Sequence, residues 1–179
     1  MQSSNPKQRK LIILIVILVL AAIILGIGAM LVTRSGTGPT LNKLGAVQRE
    51  IARINDLADK FGPDLALDQA RSNIAALTAS DITLVEPERA RASGDKNLPK
   101  NIVAEATVAD AEKSLESAAR RNSLTAAYVE LISDQLGKER SLLNTARSQA
   151  KSERLKQILE MVENHVASMT KQVDGLLPQ

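Results

Sequence analysis

From Leu41 the chain sets an apolar residue every three or four positions: Leu44, Val47, Ile51, Ile54, Ala58 and Phe61. That spacing keeps one stripe of a 3.6-residue helix apolar, so it predicts a helix over 41–61, with Thr40 as N-cap and Gly62-Pro63 as stop. A second helix is expected from Pro63-Asp64, on Leu67, Ala70, Ile74 and Leu77, fading by Asp81. The next stretch, EPERARASGDKNLPK over 86–100, holds two prolines, a glycine and seven charges and predicts a loop. A helix over 101–121 follows, with an apolar face made mostly of alanine, and then one over 123–150 through Tyr128, Ile132, Leu136, Leu143 and Ala146.

The clearest stripe is the last: Leu155, Leu159, Val162, Val166, Met169, Val173 and Leu176, ended by Pro178. It is out of register with the stripe before Ala150, so residues 123–177 read either as one rod or as two helices broken near Lys151-Ser152. No run alternates with period two, so no strand is expected. The predicted fold is all-α: a bundle of about four helices over 41–179 with coiled-coil-like packing, the last stripe forming part of its seam. Sustained heptads also suit pairing between chains.

Ahead of the bundle, Leu11 to Val32 contains no charge, amide or proline. Twenty-two residues of helix span ~33 Å, enough for a hydrocarbon layer of ~30 Å, so a transmembrane signal anchor is predicted over 11–32. The run continues past Gly26, Gly28 and Ala29, too far for a cleaved signal peptide. Lys7, Arg9 and Lys10 precede it without an acidic residue, which favours a cytoplasmic tail over 1–10 and an extracytoplasmic bundle. Ala22 and Gly26 stand four apart and could let two spans pack closely. Residues 33–40, with Ser35-Gly-Thr-Gly-Pro-Thr40, are expected to be a flexible tether.

Charge and composition then exclude several functions. Of the 23 basic residues, Lys7, Arg9, Lys10 and Arg34 flank the apolar run; the other 19 share 41–179 with all 20 acidic ones, leaving that part at −1. The positive balance belongs to the membrane flanks, and nucleic acid is not an expected partner. Without cysteine there is no thiolate chemistry, and one histidine, His165, cannot supply a zinc site or the repeated Glu-x-x-His of a bundle di-iron centre. His165 lies between Val162 and Val166 and reads as a boundary or surface residue. Paired acids such as Asp56/Asp59, Asp64/Asp68 and Glu112/Glu116 have basic neighbours and read as solvated surface. No catalytic residue, cofactor or metal is expected.

The basic tail, single span, Gly/Pro tether and LGAVQREIARINDLA leading into Leu/Ala-rich helices resemble uncharacterised single-span proteins of reduced-genome, episymbiotic bacteria. The resemblance lies in the layout and implies no activity. In layout the chain is also similar to the inner-membrane subunits of phage spanins and to type IV pilus alignment proteins. Gly62-Pro63 and the 86–100 stretch depart from the first, and the lack of a β pattern departs from the second. The expected function is structural: an anchored bundle that binds another envelope protein or itself, with the lipid bilayer as its other partner. Ligand sensing and spanin-like bridging of the envelope are the alternatives.

Overall fold

Asp64 stops the chain from running straight on from the first helix: its carboxylate accepts from the Leu67 amide at 2.8 Å and caps a helix pointing back the way the chain came. The computed structural model describes residues 36–177, which form six helices. These are α1 (Thr37–Asp59), α2 (Leu65–Ser93), α3 (Lys100–Ala106), α4 (Ala111–Arg120), α5 (Leu124–Gln149) and α6 (Glu153–Asp174). The predicted tail, the span from Leu11 to Val32 and its Ala22 and Gly26 lie outside the described residues. Among the described residues no helix is long and apolar enough to cross a membrane.

The four long helices close into a ring in which α1 packs on α2 and α5, and α6 packs on α5 and α2. Direction follows from the cross-helix bonds. Asn42 meets Arg89 and Asp59 meets Arg71, so α1 and α2 are antiparallel. Thr40 meets Gln149 and Asn55 meets Tyr128, so α5 also opposes α1. The pairs Asp81–His165 and Glu88–Arg154 oppose α6 to α2. Helices α2 and α5 therefore run in parallel, and the chain must climb the length of the bundle between them. Helices α3 and α4 are that climb, a crossover of the kind some bundles use. Glu50, 4 % exposed, fastens it: its carboxylate accepts from Arg53 Nη2 and Nε at 2.7 and 2.8 Å and from the Val108 amide at 2.9 Å.

The all-helical expectation holds for the described residues, and six stripe residues, Leu155, Leu159, Val162, Val166, Met169 and Val173, are buried in the ring. Leu176 is half-buried past the end of α6. Three boundaries differ from those predicted, and the two readings left open for 123–177 resolve as two helices. Helix α1 begins at Thr37, so residues 37–40 of the expected tether are helical, and Pro39 is tolerated there because first-turn amides need no partner. The 101–121 helix is two, interrupted at 107–110 where Val108 turns back to Glu50. The last two stripes break at 150–152, with the Ser152 hydroxyl capping the Leu155 amide at 3.2 Å.

The largest difference is the predicted loop over 86–100, because α2 continues through Pro87 to Ser93 and only 94–99 are non-helical. An interior proline costs ~3 kcal/mol. Opposing that cost, Arg89 is fully buried and donates to Glu86 at 2.7 and 3.0 Å, to Asn42 at 3.0 Å and to the carbonyls of Lys96 and Asn97. Glu88 and Arg91 add a second i,i+3 pair at 2.6 Å. The helix ends where Gly94, at φ 73°, adopts the left-handed conformation and bonds back to Ala90.

Candidate functional site

Beside the apolar core the bundle holds a polar layer across its axis and a cleft on its flank.

Each long helix places at least one polar side chain in the layer. On α1 it is Gln48, whose Nε2 donates to Glu139 Oε1 of α5 at 2.9 Å. On α2 it is Asp81, whose Oδ1 lies 2.5 Å from Nδ1 of His165 on α6. The α1–α2 register set by Asn42–Arg89 and Asp59–Arg71 brings Gln48 to the level of Asp81, which joins the two pairs into one stratum. Exposure is 1 % for Gln48, 0 % for Asp81 and 1 % for Glu139. Gln135, one turn before Glu139, is also fully buried. Apolar side chains close the layer on both sides, with Leu44, Val85, Leu143 and Val162 buried one turn away in one direction and Ile51, Leu136 and Met169 in the other.

Burial of this kind acts on the carboxyl groups. Desolvation pushes Glu139 up to about 8 against the opposing Gln48 hydrogen bond, with the negative charge of Asp81 raising it further. Desolvation likewise pushes Asp81 up to about 6, although the bond and charge of His165 pull it down. Four oxygens, Gln48 Oε1, Asp81 Oδ2, Gln135 Oε1 and Glu139 Oε2, have no donor among the described residues. A buried acceptor without a donor costs ~1–3 kcal/mol. Among the described residues no group of three His, Asp or Glu side chains converges as a metal set.

His165, expected at a boundary, is 29 % exposed and spends its Nδ1 on a wholly buried carboxylate. The layer as a whole escaped sequence reasoning, yet it left a signal. Gln48, Asp81, Glu139 and His165 each stand seven residues after a buried aliphatic: Leu41, Ile74, Ile132 and Ile158. A heptad step from a core position is another core position.

The cleft, of about 310 Å3, lies between α1, α3 and α5. Val47, Ile102, Ala106 and Leu142 make its apolar walls, with Lys43, Glu105 and Lys138 at its edge. Helix α3 has no buried residue of its own and leaves Val103 37 % exposed. Lys43 reaches Glu105 only at 3.6 Å, and Lys138 is turned to Asp134 at 2.7 Å. Comparisons with protein-family models, curated proteins and solved structures found no match.

Proposed function

We propose that this chain is a non-catalytic interaction protein, anchored in a membrane through residues 11–32, that presents its helical bundle outside the cytoplasm to an envelope protein. The observation that carries the reading is the cleft between α1, α3 and α5: an apolar trough with lysines on its edge, on a bundle that otherwise closes its stripes. Its chemistry fits a helix laying an aliphatic side chain into the trough with acidic residues beside Lys43 and Lys138. Amine-reactive crosslinking of the full-length chain in intact cells, read by mass spectrometry, tests it. Lys43 and Lys138 should link to another protein, and Ser141→Trp, which fills the trough from its exposed edge, should abolish those links. Links unchanged by Ser141→Trp would sink the reading, and links to a second copy of this chain would replace the envelope partner by self-association.

A second reading, a sensing module, draws support from the polar layer, since buried titratable groups in a helix bundle can couple an external condition to helix packing. Folding stability that is flat with pH would remove that support.

A further inference from the structure

The four unpaired oxygens of the layer are all acceptors. They come from three different helices, α1, α2 and α5, and the fourth helix contributes only His165, already committed to Asp81 Oδ1. Rotating the Gln48 amide cannot cure the deficit, because its nitrogen already goes to Glu139. Glu139 is 1 % exposed and its one hydrogen bond among the described residues is to the neutral amide of Gln48, so a proton is the smallest group that can neutralise it in place.

We propose that Glu139 and Asp81 form a proton-binding site on the bundle axis, in which one proton taken from solvent on folding is carried by Glu139 Oε2 and given in a hydrogen bond to an oxygen of the opposing layer. The step balances as carboxylate plus proton giving carboxylic acid, with no other bond made or broken. It turns one acceptor into a donor and satisfies a second acceptor. Asp81 Oδ2 is the favoured recipient, because it is the unpaired oxygen that bears charge.

Among the described residues no cationic side chain is paired with Glu139. From α1, Gln48 faces Glu139, while the neighbouring Arg49 and Glu50 are turned to Glu86 and Arg53. From α2 the facing group is Asp81, and from α6 it is His165, with Glu163 held by Arg147. On α5 itself Lys138 points out to Asp134, and Arg140 is exposed. Loss of the proton puts a second negative charge beside Asp81 in an apolar interior. The upward displacement of both carboxyls agrees with this picture.

The experiment is a pH series on the full-length chain, combining infrared spectroscopy with urea unfolding. Wild type should show a protonated-carboxyl carbonyl band at neutral pH that fades as the pH passes about 8, and its urea midpoint should fall as the pH rises from about 4.5 and level off as the band fades. Glu139→Gln keeps the shape of the protonated group and should lack the band and flatten the fall. Asp81→Asn should keep the band at a shifted frequency, because its hydrogen-bond acceptor has lost its charge. A wild type without the band at neutral pH, or a Glu139→Gln variant that keeps both band and slope, overturns the proposal. Should Glu139→Gln not fold, the wild-type band and its titration decide alone.

Discussion

Tyr128 on α5 donates its hydroxyl to Asn55 Oδ1 on α1 at 2.6 Å, and Asn55 passes its own Nδ2 to the Ile51 carbonyl at 3.0 Å. Both side chains are buried, Tyr128 fully and Asn55 to 1 % exposure, so the pair fixes the register of α1 on α5 from inside. Tyr128→Phe removes the donor and strands Asn55 Oδ1, and should destabilise by ~1–3 kcal/mol in urea unfolding. Burial also raises the phenol above its ordinary range. Since Tyr128 is the one tyrosine in the chain, phenolate absorbance in an alkaline titration should rise only as the bundle unfolds.

Arg89 ties α2, α1 and the 94–99 turn together through one guanidinium. Arg89→Met keeps much of the bulk but leaves Glu86, Asn42 and two backbone carbonyls without it. A loss of ~3 kcal/mol or more is expected, with faster amide exchange over 86–93, where Pro87 already weakens the helix.

Two glycines should respond in opposite ways to alanine. A Cβ on Gly38 would stand 2.9 Å from the Ala92 carbonyl oxygen, so Gly38→Ala should push α1 from the end of α2 and lower the melting temperature. Gly137 lies exposed within α5 with nothing near its would-be Cβ, and Gly137→Ala should stabilise by ~1 kcal/mol. Thermal unfolding followed by circular dichroism distinguishes the signs.

Asp81 gives a pH dependence of its own. Its folded value lies above the unfolded one, so its contribution is present below about pH 4 and is lost as the pH rises through about 6. His165 limits that loss by stabilising the ionised form. His165→Ala leaves the buried carboxylate without its one polar partner, and should steepen the decline between pH 4 and 7 in a urea series.

The stripes at 41–61, 123–150 and 155–173 carried the fold because a buried helix face reports itself directly in the spacing of Leu, Ile and Val. The stretch 86–93 did not, since its helix rests on Glu86–Arg89 and Glu88–Arg91 pairs that in a sequence look like solvated charge. Only the position of Arg89, four residues after buried Val85, hinted that a charge could point inward. The crossover was hidden for a different reason: the interruption at 107–110 is held by Glu50, fifty-eight residues from Val108, and no local pattern records so distant a bond. Gln48, Asp81, Glu139 and His165 sat on core spacing, but polarity outweighs spacing when helix faces are read by hydrophobicity alone.

The crossover has a mechanical consequence. With α2 and α5 parallel, α1 and α6 are parallel as well, so Thr37 and Asp174 lie at opposite ends of a bundle whose 22-residue last helix is ~33 Å long. Tension between those two points runs along the helix axes. It slides the helices past one another and strains every stratum of the core together, where a chain entering and leaving at one end would be unzipped a layer at a time.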